Sequence, residues 1–282
     1  MAELEPLKNP IEDLLQQKIM TNRNTETLSE LPTESLKNLV CSKCHQEIKN
    51  YHEIYEGRAI FYRCNCEREE EVKKINAEVE TEKREKIQKL FSCANIGKRF
   101  INCSFKNFQK RAGVEKAFNT ALDFARNFKQ KQETGEGILF YGGSGNGKTH
   151  LAVAIVREIV KQGYSAIFQP AAELQYRLNA TYNASGENET EIMSGLVESD
   201  LTVIDDLGKG KWSEKVEERF YVILDGRYRE LRPTIITTNL KLSVLEGYVG
   251  NAVMDRLKEM CVFVLNSAKS YRALKIEEEN NE

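Results

Sequence analysis

An apolar pentapeptide, Gly137-Ile138-Leu139-Phe140-Tyr141, runs directly into Gly142-Gly143-Ser144-Gly145-Asn146-Gly147-Lys148-Thr149, and the run from Thr149 through His150, Leu151, Ala152, Val153, Ala154, Ile155 and Val156 reads as the start of a helix. Strand, glycine-rich turn and helix in that order leave the backbone little choice. Glycines permit left-handed backbone, so successive amides can turn toward one point. A helix that begins there adds the partial positive charge of its N-terminus. The result is an anion cradle, and the spacing G-x-x-x-x-G-K-[ST] is the one that wraps nucleotide phosphates. Lys148 reaches the outer phosphates and the Thr149 hydroxyl is a Mg²⁺ ligand. The binding candidates are Gly142, Gly143, Ser144, Gly145, Asn146, Gly147, Lys148, Thr149 and His150.

From about residue 95 apolar runs alternate with helical stretches: 138–141, 165–169, 201–205, 234–238 and 261–265. Short strands separated by helices predict a parallel sheet of five strands with helices on both faces, a three-layer αβα domain of the α/β class. Right-handed crossovers align the strand C-termini along one edge.

At that edge the third run, Leu201-Thr202-Val203-Ile204-Asp205-Asp206, ends in two acids. Mg²⁺ takes oxygen ligands, so Asp205 is the candidate for the metal shell, and Asp206 for the base that polarises an attacking water. The fourth run ends in Thr237-Thr238-Asn239, where Asn239 is placed to hold that water or a terminal phosphate. Arg256 follows on a helix and Arg272 follows the last strand. A guanidinium can neutralise charge on a transferred phosphoryl group, although most arginines are solvated surface residues.

The chain has 282 residues, room for one sizeable domain and a smaller one, with 40% hydrophobic and 30% charged residues. No apolar run is long enough to span a membrane. The start, Met1-Ala2-Glu3-Leu4-Glu5-Pro6, lacks the basic-then-apolar layout of a signal peptide, so a cytoplasmic protein is expected. A net charge of −2 gives no global case for nucleic-acid binding, and any such contact must be local. Candidates are Tyr176, Arg177 and Tyr182 after the second strand, and Lys209, Lys211 and Trp212 after the acidic one. These are equally readable as core aromatics and solvated lysines.

Ahead of the sheet, residues 1–40 carry Ile11, Leu14, Leu15 and Ile19 at helical spacing, too few apolar positions for a core of their own. They read as a partner-binding segment or an unengaged tail. Cys41-x-x-Cys44 and Cys64-x-Cys66 follow, flanking an aromatic-rich stretch that can form a hairpin. Two close cysteine pairs suit the tetrahedral preference of Zn²⁺, in a structural site at 41–66. His45 or His52 can replace a ligand, and buried free thiols are the alternative. Cys93, Cys103 and Cys261 read as ordinary buried thiols. Residues 67–94 are charged, with a sparse apolar stripe, and read as a helical linker. The α/β domain with the phosphate loop is then expected to span 95–282.

The succession of phosphate loop, Val203-Ile204-Asp205-Asp206-Leu207-Gly208, Thr237-Thr238-Asn239, Asp255-Arg256-Leu257 and Ser270-Tyr271-Arg272 resembles the AAA+ ATPases of the DnaC/DnaI type, replicative-helicase loaders, with the IstB transposition ATPases as relatives. The lead-in Gly97-Lys98-Arg99-Phe100 to Ser104-Phe105-Lys106-Asn107-Phe108 resembles the family's segment near the adenine. Trp212 and Gly226-Arg227-Tyr228 are similar to its phage-type members. The resemblance covers 95–275 and implies an enzyme that hydrolyses ATP with Mg²⁺. It implies a sensor-1 role for Asn239, an arginine finger acting across subunits for Arg256, and a sensor-2 role within the subunit for Arg272. Many relatives carry Glu where this chain has Asp206. The implied partners are a hexameric DnaB-type replicative helicase, single-stranded DNA and further copies of the chain. The implied activity is loading of that helicase during replication initiation, with ATP binding and hydrolysis switching assembly and release. An IstB-type transposition ATPase and a nucleotide-bound adaptor with little turnover are the alternatives.

Overall fold

The computed structural model describes residues 31–32, 41, 43–46, 51–54, 58–61, 65–90, 96–181, 188–210 and 212–273. The chain divides into two compact units, 1–79 and 80–282. The expected helix within 1–40, and Cys64, Cys93, Tyr182 and Lys211, lie outside the described residues.

In the first unit, β2 (Tyr51–Ile54) and β3 (Arg58–Phe61) pair antiparallel as the hairpin the aromatic-rich stretch suggests, and β1 (Leu31–Pro32) pairs with the free edge of β3. The charged stretch forms α1 (Asn65–Leu90), which continues into the second unit. Val72 is exposed and Ile75 and Val79 are half-buried, as befits a helix whose surface is mostly charged. Among the described residues no helix is long and apolar enough to cross a membrane.

The second unit begins its regular structure with α2 (Glu115–Arg126) and α3 (Phe128–Thr134). There follow β4 (Gly137–Tyr141), α4 (Lys148–Lys161), β5 (Ala166–Pro170), α5 (Ala171–Ala180), α6 (Glu189–Glu198) and β6 (Leu201–Leu207). The chain continues with α7 (Glu214–Arg229), β7 (Thr234–Thr238), α8 (Leu242–Val249), α9 (Asn251–Met260) and β8 (Cys261–Leu265). The sheet order is β5-β6-β7-β4-β8, and every neighbouring pair is parallel. All five predicted strands are present.

Both faces of the sheet's central strands are covered, which is why β4, β6 and β7 are buried almost throughout rather than alternately. Ile138 and Phe140 of β4 join one core with Phe118 and Phe124 of α2 and Leu151 and Ile155 of α4. Leu139, between them, joins the other core with Leu174 of α5, Leu196 of α6, and Phe220 and Ile223 of α7. The pleat thus sends successive side chains of one strand into two separate cores. Truncating any of these fully buried side chains to alanine removes about 2–5 kcal/mol. Cys103 and Cys261 are buried thiols as expected, and burial pushes the Cys261 thiol up to about 12.

One strand differs from its expected length. β6 continues through both acids to Leu207 rather than stopping at Asp205. Its register with β7 slips between Ile204 and Leu207, so that Asp205 and Asp206 together face Thr237. This bulge keeps the strand paired while it turns the second acid out of the pleat.

Candidate functional site

The strand C-termini of β4, β6 and β7 converge on a cleft of about 360 Å³ in the second unit. Its floor is the turn 142–147. Gly142 holds φ +135°, and a Cβ there would lie 2.2 Å from the Asn266 carbonyl oxygen. Gly147 holds φ +104°, and a Cβ there would meet the Phe108 ring at 2.8 Å. Both positions require glycine for conformation and for space. The Asn146 side chain, fully buried, donates to the Asn266 carbonyl at 2.6 Å, and Asn266 Nδ2 donates back to the Asn146 carbonyl at 3.1 Å. This reciprocal pair ties the loop to the chain just beyond β8.

Lys148 opens α4. Its Nζ lies within hydrogen-bond range of four oxygens: Gly142 O at 2.9 Å, Gly143 O at 2.8 Å, Asn146 Oδ1 at 3.0 Å and Asn239 Oδ1 at 2.8 Å. All four are neutral, so the ammonium keeps its charge for an anion in the cleft. Burial lowers Lys148 to about 8, against the Asp206 and Asp205 carboxylates, which favour the charged form.

Thr149 Oγ1 donates to Asp205 at 3.0 Å to Oδ1 and 3.2 Å to Oδ2. Thr237 Oγ1 donates to Asp205 Oδ1 at 2.6 Å and accepts from the Asp206 backbone N–H at 2.8 Å. Burial raises the Asp205 carboxyl, and the hydroxyls of Thr237 and Thr149 hold it back toward its charged form. Hydroxyl and carboxylate are the hard oxygen donors that Mg²⁺ accepts, so this pair fits the ion. Asp206 sits at φ +60°, left-handed for a non-glycine residue and therefore strained. Its carboxylate accepts from Asn239 Nδ2 at 2.6 Å and pairs with Lys209. Asn239 bridges the ammonium of Lys148 and the carboxylate of Asp206 through the two ends of one amide.

His150 Nε2 lies 2.9 Å from the Ser104 carbonyl, and Phe108 stands edge-on to the His150 ring with centroids 5.1 Å apart. His150 therefore anchors the lead-in segment beside the loop. Arg272 is exposed and lines the cleft from the segment after β8. Arg256 is not brought to the cleft. It pairs with Asp225 at 2.9 Å and Glu259 at 3.2 Å, and stacks 4.8 Å from the Tyr228 ring. Of the candidates for nucleic acid, Tyr176 lies on α5 rather than in a loop and is 76% exposed, whereas Trp212 packs on Phe220 and Tyr248 with centroids 4.8 and 5.1 Å away. Trp212 is committed to packing rather than free to stack on a base.

Sequence reasoning missed Thr237 as the residue joining both acids, and missed Asn266 and Arg111 at the loop. A threonine opposite an acid pair on the neighbouring strand was a usable signal. Asn266 and Arg111 had none, because only the folded chain brings them to residue 146.

In the first unit, the sulfurs of Cys41, Cys44 and Cys66 lie within 4.8 Å of one another, with Cys41 and Cys66 3.6 Å apart. Backbone N–H groups of Cys44 and Lys43 draw the Cys41 thiol down to about 7. Three converging thiols, one biased toward thiolate, can hold a metal ion and suit zinc in particular.

The fold and this cleft define a phosphate-loop nucleotide-binding domain of the AAA+ type. Comparison with known proteins makes the assignment specific: a family model described as IstB-like ATP binding protein matches residues 133–279, and the chain belongs to that family. It is 31% identical to the replicative helicase loader DnaC of Escherichia coli (strain K12) over 190 residues, which are 67% of this chain and 76% of that protein. A crystal structure of the DnaC helicase loader superposes with a TM-score of 0.55 at 30% identity, covering 61% of this chain and all of that one. AMPPCP-bound DnaA from Aquifex aeolicus is alike in fold, with a TM-score of 0.53 at 22% identity over 64% of this chain and 55% of that chain.

Proposed function

We propose that the chain is an ATP-dependent loader of a hexameric replicative DNA helicase, acting at replication initiation on single-stranded DNA. The observation that carries this reading is the 31% identity to a replicative helicase loader over 190 residues, three quarters of that relative. The phosphate loop from Gly142 to Thr149 holds the triphosphate, with Lys148 on its outer phosphates. Thr149 and Asp205 hold Mg²⁺, which screens the phosphate charge when bound. Asp206 polarises the attacking water, and Asn239 fixes that water or the terminal phosphate by the amide that already links it to Asp206 and Lys148. Arg272 touches the phosphates from within the same subunit.

Arg256 acts on the nucleotide of a neighbouring copy. Its distance from the chain's own cleft and its place on α9 support that role, which makes assembly and hydrolysis interdependent. In its own chain Asp225 and Glu259 hold it ready. Residues 95–282 form the ATPase domain, 67–94 the linker, 41–66 a zinc module held by Cys41, Cys44, Cys64 and Cys66, and 1–40 the helicase-binding segment. The zinc is structural: so small a module has too little apolar core to fold unaided.

Pull-down with a hexameric replicative helicase in the presence of ATP tests the reading. Retention that depends on ATP is expected, and Asp206→Asn should hold the complex while losing turnover by about 100-fold or more. A chain that ignores the helicase but binds a transposase is a transposition ATPase instead, the reading that the IstB-like family match favours.

A further inference from the structure

We infer that Arg111 contacts a phosphate of the nucleotide bound in the cleft, as a second cation on the loop beside Lys148. The inference rests on the reading that the cleft takes a nucleotide. Arg111 lines the cleft together with Gly145 and Asn146. Its Nη2 donates to the Asn146 carbonyl at 3.2 Å. Its guanidinium lies 5.2 Å from the Tyr271 ring, and the Tyr271 backbone N–H donates to the Gly145 carbonyl at 2.9 Å. Arg111 and Tyr271 are thus fixed to adjacent residues of the phosphate loop.

One of the three guanidinium nitrogens is satisfied in this way. Nε and Nη1 are shut off from solvent and have no hydrogen-bond partner among the described residues. A buried charged donor without an acceptor costs folding free energy, and such a group calls for a ligand or a bound water to explain it. The face of the Tyr271 ring, 5.2 Å away, accepts no directed N–H bond comparable to an anion's. Phosphate supplies both missing elements, a negative charge and several acceptor oxygens, and the planar guanidinium fork is suited to them. Nη2 is held beside the loop that wraps phosphates, and Arg111 lines the cleft there. The base of a nucleotide carries no charge and would leave the cation unmatched.

The test titrates ATP, ADP and GTP with Mg²⁺ into the full chain and its Arg111→Gln and Lys148→Ala variants, and follows thermal unfolding without nucleotide. Arg111→Gln should weaken ATP, ADP and GTP by a common factor of roughly tenfold or more, as expected for a lost charge-assisted hydrogen bond. Its unfolding midpoint without nucleotide should match or exceed that of the unmodified chain, because the unmet donors are gone. Three results with Arg111→Gln would overturn the inference alone. Arg111→Gln could bind ATP as the unmodified chain does while Lys148→Ala does not, which leaves the nucleotide reading standing and removes only Arg111's part. It could shift the preference between ATP and GTP, which assigns Arg111 to the base. It could melt earlier with affinity intact, which makes Arg111 a packing residue. An unmodified chain that binds none of the three nucleotides overturns the inference and the reading beneath it together.

Discussion

Two buried cations in the same domain are solvated in similar ways and serve opposite ends. Arg227, on α7, is fully buried. Its Nε donates to Thr234 Oγ1 at 2.8 Å, Nη1 to the Leu196 and Ser199 carbonyls at 2.6 and 2.9 Å, and Nη2 to the Pro233 carbonyl at 2.5 Å. Leu196 lies in the last turn of α6, so Arg227 closes that helix and binds it to the start of β7. Lys148 is also held by oxygens that carry no charge. The difference lies in what remains. Arg227 is enclosed with all three nitrogens engaged, while Lys148 borders an open cleft of about 360 Å³. A cation wrapped in carbonyls is architecture when the wrapping is complete, and a receptor when one side is left to an anion.

The comparison can be broken by removing each cation in turn. Arg227→Ala should cost about 3–5 kcal/mol, because it leaves several carbonyls unmet and opens a cavity, and a urea titration would read it. A loss under 1 kcal/mol would deny Arg227 its structural part. Lys148→Met should reduce ATP affinity by about 100-fold while leaving the urea midpoint within error, since the charge it removes was costly to bury. Equal losses of stability in the two variants would erase the distinction.

A third cation sharpens the contrast. Arg256 is half-buried and its partners are carboxylates rather than carbonyls. Partly exposed ion pairs contribute little, so Arg256→Ala should cost no more than about 1 kcal/mol of stability. Its hydrolysis should nevertheless fall, and mixing with Lys148→Ala subunits should restore part of it. Absence of rescue counts against action across subunits.

The response to pH tests Lys148 a second way. Lys148 titrates near 8 in the folded chain, below its value when unfolded. Between pH 8 and the ordinary lysine range of about 10.4 the unfolded chain therefore binds the extra proton, and the Lys148 contribution to stability rises with pH. ATP affinity should move the other way over the same window as the ammonium is lost. The difference in midpoint between the unmodified chain and Lys148→Met, followed from pH 7 to 10, checks the first trend. A difference that stays flat would mean that Lys148 keeps its ordinary basicity.

Much of this was legible in the sequence because it is local. The five strands, the loop 142–149 and the acids 205–206 are each written in a few consecutive residues, and their order dictates the sheet edge they share. The Arg227 site was not legible. Gly226-Arg227-Tyr228 stands out as a tripeptide, but nothing within it tells that the guanidinium meets carbonyls of residues 196 and 199. Arg111 and Asn266 were hidden for the same reason, since both reach residue 146 from far along the chain. Asp206 lines the cleft near the end of β6, yet its left-handed backbone was not foreseen, because the bulge arises from pairing with β7 and not from the residues of β6.

The slipped register at Thr237 has a consequence for how this chain can change. Two neighbouring acidic residues that a regular pleat would send to opposite sides of the sheet are here moored to one hydroxyl, Asp205 through its carboxylate and Asp206 through its backbone amide. A substitution at residue 237 would perturb both acids at once, so the two functions proposed for them are joined at a single point of failure. That point lies on a strand of five β-branched residues in a row, and only its place opposite the acid pair marks Thr237 out.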